Sequence, residues 1–353
     1  MLDDTHPPQV SVIIPAYNTT KYIAACLDSV LRQTFQDFEI VLVNDGCPDT
    51  VALERVLEPY QSRIRYLKQE NRGLPGARNT AIRAARAPLI LQLDADDILG
   101  PNCLEAQVRA MHEHPDFAAF YCNCYNFSDT PEEAAHWGML VKRLYMDVYP
   151  SKGPVSFVSI MEGRTCPKIL GSIIRRDDLL RIGLYDESIR YAEDLDMWLR
   201  LLKSPAKIGF TTEPLNYYRL RADSNTKNAR ATADLLAVVE KAGRIFQLTP
   251  EEEAARQREA AILRHIVALQ KGKLAIQERC WRDAIENFEA ANRMSRSRKV
   301  QATLAILRIC PWILPPAMAI WSRWLAMRMK SRLAETPAAY VPGTNLPPSV
   351  ARE

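Results

Sequence analysis

Four short apolar runs separated by amphipathic stretches constrain the first hundred residues of this chain more than any other feature. Val10-Ser-Val-Ile-Ile-Pro-Ala16, Phe38-Glu-Ile-Val-Leu-Val-Asn44, residues 64–68 and Leu89-Ile-Leu-Gln-Leu93 read as buried strands. Residues 21–34, 49–60 and 75–86 between them carry helical periodicity; Ile23, Cys26, Leu27, Val30 and Leu31 fall on one face of the first. Pro75 at a helix start and Pro88 past its end are ordinary punctuation. Strands alternating with helices of this length predict βαβ units and an α/β fold, with a mainly parallel sheet flanked by helices.

Beyond Pro101, near which a helix is expected to begin, the pattern loosens. Strands are expected over residues 116–125, 169–174, 207–212 and 215–219, with a long loop over 128–154. A helix is expected over Glu193–Leu202, burying Leu195, Trp198, Leu199 and Leu202. From about residue 231 the sequence turns to helices rich in Ala, Arg and Glu. The expected organisation is an α/β domain over 1–228, a helical C-terminal extension over 229–335, and a disordered tail over 336–353. With 47% hydrophobic and 25% charged residues, the chain has the profile of a soluble globular protein. The first ten residues lack the charged-then-apolar pattern of a secretory signal, so the expected compartment is the cytoplasm. The eight cysteines show no zinc-type pairing of pairs and read as free, mostly buried thiols; Cys122 and Cys124 should point the same way from one strand.

The chemistry of the α/β domain concentrates at Asp94-Ala95-Asp96-Asp97, which begins where the fourth strand ends. Three acids within four residues repel one another, and the carboxyl ends of strands are where open α/β sheets bind ligands. Such a cluster suits a hard divalent cation bridging phosphate oxygens; a solvated acidic turn is the plainer alternative. The stretch Pro15-Ala-Tyr-Asn-Thr-Thr20 after the first strand has no glycine. That argues against dinucleotide-binding, P-loop and sugar-nucleotidyltransferase sites, which cradle phosphate on glycine-rich backbone.

Five pieces in series carry a family resemblance. They are Val10-Ser-Val-Ile-Ile-Pro-Ala-Tyr-Asn18, Val43-Asn-Asp-Gly46, Asn71-Arg-Gly-Leu-Pro-Gly-Ala-Arg-Asn79, Leu93-Asp-Ala-Asp-Asp97 and Ala192-Glu-Asp-Leu-Asp-Met-Trp-Leu-Arg200. This ordered set resembles the family 2 glycosyltransferases, and the resemblance implies the GT-A fold, a Rossmann-like α/β architecture, for the first domain. It implies an inverting transfer of a sugar from a nucleotide-sugar donor to an acceptor hydroxyl, in glycan or glycolipid assembly. On it, Pro15, Tyr17 and Asn18 line the nucleotide pocket. Asp45 accepts from the imide N–H of uracil, favouring UDP; thymine shares that imide, so dTDP donors stay open. Arg78 contacts the nucleotide or its phosphates, Asp94 the ribose. Asp96, with Asp97 in support, holds Mn²⁺ or Mg²⁺ against the departing diphosphate. Asp194 is the base and Glu193 its acceptor-side partner. Many relatives carry a histidine two residues after the arginine of Tyr217-Tyr218-Arg219, where it can complete the metal shell. This chain has Arg221 there, and Arg219 and Arg221 become expected diphosphate contacts. A catalytically silent scaffold is the non-enzymatic alternative, disfavoured by the intact Asp94, Asp96 and Asp194.

The formal net charge of +4 is unevenly spread. Residues 296–332 hold eight basic side chains and no acid, so the remainder carries −4. Within that segment the longest uncharged run, residues 309–322, is 14 residues, against the roughly 20 needed to span a bilayer. Trp312, Trp321 and Trp324 beside these cations suggest an element lying in an anionic membrane interface. The expected partners are therefore a nucleotide-sugar donor, a glycan or lipid-linked acceptor and the inner membrane face. Nucleic acid is not expected, because the basic residues flank an apolar stretch.

Overall fold

The computed structural model describes residues 7–130, 143–221, 229–295 and 297–315. The expected tail over 336–353, the basic stretch beyond residue 315 and residues 131–142 of the expected loop lie outside the described residues. Within these residues the chain divides into two compact units at Arg221.

In the first unit, β1 (Val10–Ala16), α1 (Ile23–Leu31), β2 (Phe38–Asp45), α2 (Thr50–Leu57), β3 (Arg65–Gln69), α3 (Gly73–Ala84) and β4 (Leu89–Gln92) alternate as the sequence predicts. Next come β5 (Ile98–Leu99), α4 (Cys103–Glu113), β6 (Phe117–Phe127), β7 (Ile173–Arg175), the helix Glu193–Leu202 and β8 (Lys207–Arg219). Eight strands form one sheet in the order β3-β2-β1-β4-β7-β6-β8-β5. β3, β2, β1 and β4 run parallel, as do β6 and β8. β7 is antiparallel to both its neighbours, and β5 is antiparallel to β8.

Continuous apolar runs suit the central strands because both faces are covered. Successive side chains alternate sides. Val12 and Ile14 of β1 and Ile40 and Leu42 of β2 join the core under α1, α2 and α4. Ile13, Val41 and Val43 face the opposite core, with Ala77, Ala81 and Ile82 of α3 and Met197, Trp198 and Leu201 of the Glu193–Leu202 helix. That helix turns slightly from its expected face: Leu195 and Leu202 are half-buried, while Met197 and Leu201 fill the core. Cys122 and Cys124 lie in the same core cluster, and all eight cysteines are free.

Three strand boundaries differ from the sequence reading. The expected strands 207–212 and 215–219 form one strand, β8, whose register against β6 shifts around Asn123 and Pro214. Proline cannot donate to the ladder, and a bulge accommodates it. The strand expected from residue 169 starts only at Ile173, because Gly171 turns the chain at φ +67°. Finally, Ile98–Leu99 is a strand too short for any periodicity, created by its pairing with Tyr217 and Asn216.

The second unit consists of the helices Ala229–Ile245, Pro250–Gln277, Trp281–Met294 and Arg298–Ile309. Thr249 and Glu252 close a capping box at the start of the longest. Phe288 packs against Gly272, where an added Cβ would lie 2.7 Å from the ring. Ala284, Ala291, Val300, Leu304 and Leu307 complete the local core. Among the described residues, no helix is long and apolar enough to cross a membrane.

Gly171 offers a direct test of the strand ends. Its positive φ disfavours a side chain, and a Cβ there would fall 2.0 Å from the buried Asn216 Nδ2. Gly171→Ala should therefore destabilise the protein by about 2–3 kcal/mol in urea unfolding. A midpoint equal to that of the wild type would show that the turn is not constrained in this way.

Candidate active site

The carboxyl ends of β2, β1 and β4 stand side by side, and the expected residues emerge from them. Pro15 is buried within β1, while Tyr17 just beyond is 48% exposed. Asn18 turns the chain at φ +53°, and its N–H donates to Cys47 Sγ at 3.1 Å. At the end of β2, Asp45 Oδ1 accepts from Gln69 Nε2 at 2.7 Å and from the Arg72 backbone N–H at 2.9 Å. Thr80 Oγ1 donates to Gln69 Oε1 at 2.6 Å, which fixes which way the amide faces Asp45. Gly46 follows at φ +68°, so close to Asn71 that a Cβ would sit 2.8 Å from its backbone nitrogen.

After β4 the acidic run makes a tight turn, with Asp97 N–H donating to the Asp94 carbonyl at 3.0 Å. β5 then pairs with β8 and brings Arg219 alongside. The Arg219 N–H donates to Asp97 Oδ1 at 2.8 Å, its Nε to the Asp96 carbonyl at 2.5 Å, and its guanidinium forms an ion pair with Asp129. Arg221 Nη1 donates to Asp96 Oδ2 at 2.9 Å. Both guanidiniums lie over Tyr22, at 4.8 and 5.2 Å from the ring centre.

Arg78 joins this turn to the start of the Glu193–Leu202 helix. It is 2% exposed; Nη2 donates to Asp94 Oδ1 at 2.8 Å and Nη1 to Glu193 Oε1 at 2.6 Å. The guanidinium also faces the Tyr185 ring at 5.4 Å. Asn79, next on α3, clamps the Tyr185 backbone through both amide atoms at 2.9 and 2.8 Å, and Tyr185 Oη donates to Gln92 Oε1. Ahead of the helix, Ala192 adopts the left-handed conformation at φ +64°. For a residue with a Cβ that costs of order 1–2 kcal/mol; it is tolerated where Glu193 and Asp194 begin the helix. Asp194 is half-buried, with Oδ1 taking the Leu195 N–H at 2.8 Å.

Burial dominates the protonation balance. It raises the Asp97 carboxyl well above the usual range, reinforced by Asp96 and Asp94. It also raises Asp96, with Asp94 adding to the rise and Arg221 opposing it. Burial pushes the Glu193 carboxyl up to about 7, against the pull of Arg78 and with help from Asp194. For Arg78, burial works toward deprotonation, but Asp94, Tyr185 and Glu193 outweigh it and the cation is held firmly.

The expected residues thus form three groups. Asp94, Arg78 and Glu193 are bonded in one chain, with Asp194 next to it; Asp96, Asp97, Arg219 and Arg221 form a second. Pro15, Tyr17, Asn18 and Asp45 lie at the neighbouring strand ends. Lys168 escaped the sequence reading. Its Nζ stands 3.4 Å from the Tyr218 ring centre and 5.3 Å from that of Tyr145. Burial disfavours its charge, yet Tyr218, Cys124, Asp97 and Asp194 together hold the proton on. It belongs to no motif, and no local signal marks it.

Solved structures share this architecture. The chain aligns with residues 1–349 of TarS from S. aureus at a TM-score of 0.56 and 18% identity, covering 85% of this chain and 87% of that one. It aligns with the mannosyltransferase PcManGT from Pyrobaculum calidifontis, in complex with GDP-Man and Mn²⁺, at 0.57 and 18%, covering 94% and 89%. A mostly parallel, curled sheet between helices, followed by further helices, is the GT-A fold of glycosyltransferases. A family model described as glycosyl transferase family 2 matches residues 11–160. An uncharacterized glycosyltransferase of Rickettsia typhi is 30% identical over 230 residues, covering 65% of this chain and 69% of the relative. The chondroitin synthase of Escherichia coli is 38% identical over 117 residues, covering 32% of this chain and 17% of the synthase. The chain belongs to glycosyl transferase family 2.

Glu193 pairs with Arg78 as a carboxylate, and its carboxyl is pushed up to about 7. Turnover should therefore rise with pH through about 7 and level off above it. Glu193→Gln should remove this limb. A limb unchanged in that variant would assign the titration to another group.

Proposed function

We propose that this enzyme transfers a sugar with inversion from a UDP- or dTDP-linked donor to an acceptor hydroxyl. The observation that carries the reading is the buried Arg78, which ties Asp94 at the donor end of the sheet to Glu193, the neighbour of Asp194. A single guanidinium sets the spacing between the two halves of a displacement reaction. On this reading Tyr17 and Asn18 border the base pocket, and Asp45, its Oδ1 already occupied, turns Oδ2 to the imide N–H. Asp94 meets the ribose, and the guanidiniums of Arg219 and Arg221 face the diphosphate.

Asp194 takes the proton from the acceptor hydroxyl as its oxygen attacks the anomeric carbon and the bond to the diphosphate breaks. Glu193 and Arg78 hold the acceptor side in place. One base and one displacement give an inverted product.

Mn²⁺ or Mg²⁺, if bound at this turn, would be held by Asp96 and Asp97 and would lend Lewis-acid charge to the leaving diphosphate. These two carboxyls fit a divalent ion poorly. Asp96 already holds Arg221, and Asp97 is 1% exposed. Asp97 Oδ2 has no hydrogen-bond partner among the described residues, while Oδ1 already takes the Arg219 backbone N–H. Among the described residues, no three His, Cys, Asp or Glu side chains converge on a cation position.

Asp194→Asn should leave donor affinity nearly intact while turnover falls by roughly 10²–10⁴-fold, the range for loss of a general base. The product of the wild-type enzyme should carry the inverted anomer by NMR. A retained configuration would overturn the mechanism.

A glycan or lipid-linked acceptor at an anionic membrane surface completes the reading. Ile309, Trp312 and Ile313, near the last of the described residues and next to Arg308 in the sequence, are 73%, 65% and 51% exposed. Further cations and two more tryptophans follow in the sequence. Each cation reaching anionic lipid adds about 1 kcal/mol of attraction. The full chain should float with anionic liposomes at low salt and release at high salt. A chain that stays in the soluble fraction would identify these residues as a packing or dimerisation surface.

A further inference from the structure

The protein supplies its own cations to most of the carboxylates around the acidic turn. Asp94 is paired with Arg78, Asp96 with Arg221 and Asp129 with Arg219. Asp97 forms no ion pair with these arginines; it takes the Arg219 backbone N–H and lies in the field of the buried Lys168. A divalent ion is favoured where carboxylates lack counter-charges, and here it would have to displace an ion pair at Asp96. Arg221 is well placed to keep that position. Its side chain is 13% exposed, its Nη1 lies 2.9 Å from Asp96 Oδ2, and its guanidinium is stacked 5.2 Å from the Tyr22 ring centre. Arg219 holds the same residue from the other side, through the Asp96 carbonyl, and shares the same ring.

We propose that Arg221 is the built-in cation of this donor site, so that nucleotide binding does not require a divalent metal. The inference rests on the reading of this cluster as the donor site and assigns the charge-balancing role within it. A guanidinium presents five N–H donors in a fixed fork, enough to hold Asp96 and a phosphate oxygen together. It also stays protonated throughout the working pH range, so its charge needs no metal supply. Tyr22 lies against the fork beside the turn, and Arg219 holds the Asp96 backbone through its carbonyl. The diphosphate would thus meet the guanidinium of Arg221, beside that of Arg219, instead of a hydrated ion.

Calorimetry of UDP, dTDP and GDP with the full-length protein, in EDTA and in Mn²⁺, tests this without relying on turnover. The wild-type protein should bind a nucleoside diphosphate in EDTA with an affinity within about threefold of that in Mn²⁺. Arg221→His replaces the fixed cation with a side chain that can ligate metal. It should lose about tenfold or more of its affinity in EDTA and recover it in Mn²⁺. Arg221→Lys, which keeps the charge but not the fork, should retain part of the EDTA binding. Thermal melting of each variant separates a local effect from unfolding. Wild-type binding that vanishes in EDTA and returns with Mn²⁺ would overturn the inference while leaving the donor site standing. Equal affinities of the wild type and both variants in EDTA would also overturn it. If the wild type binds no diphosphate in either buffer, the donor-site reading fails and the inference falls with it.

Discussion

Arg78 is withdrawn from water almost completely, and that is tolerable only because two carboxylates and an aromatic face surround it. A buried charge with one partner missing is strongly destabilising, by about 3–5 kcal/mol in comparable cases. The interaction is therefore a poor source of net stability and a strict source of geometry. α3 must present Arg78 inward, β4 must end at Asp94, and the Glu193–Leu202 helix must start where Glu193 can reach. Asn79 reinforces the arrangement by pinning the Tyr185 backbone, and the left-handed Ala192 sets the angle at which the helix begins.

The second constraint is the antiparallel pairing of β5 with β8. Two residues of strand have little stability of their own, but this pairing places Arg219 against the Asp96 carbonyl and the Asp97 side chain. It also brings Arg221 to Asp96, across a separation of 125 residues. The acidic turn is then surrounded by the chain's own cations, which distinguishes it from a solvated run of acids. Such a turn is electrostatically prepared for a charged ligand before one arrives.

Much of this was legible along the chain. β1, β2, β4 and the Glu193–Leu202 helix lie within a residue or so of where apolar periodicity puts them, because both faces of the strands and one face of the helix are buried. The acids after β4 and the pair Glu193-Asp194 stood out through their spacing and order. The misreadings share one cause. The single long β8, the late start of β7 and the existence of β5 depend on cross-strand partners, on a glycine turn and on a proline bulge. None of these has a period. Lys168 was missed for a related reason: its partners Tyr145, Tyr218, Asp97 and Asp194 come from four separate segments.

The sequence by itself determined the class of fold and the residues at the strand ends, because hydrophobic alternation and motif order are local properties that survive in one dimension. Only the tertiary structure decided how those residues pair. Arg78 is a nucleotide contact on the family resemblance, and only the fold shows it as the counter-ion of Asp94 and Glu193. Arg221 reads as a departure from a motif, yet in the fold it is the partner of Asp96. An ion pair depends on distance and dielectric, and both are set by strand order, register and burial, which no stretch of sequence specifies alone.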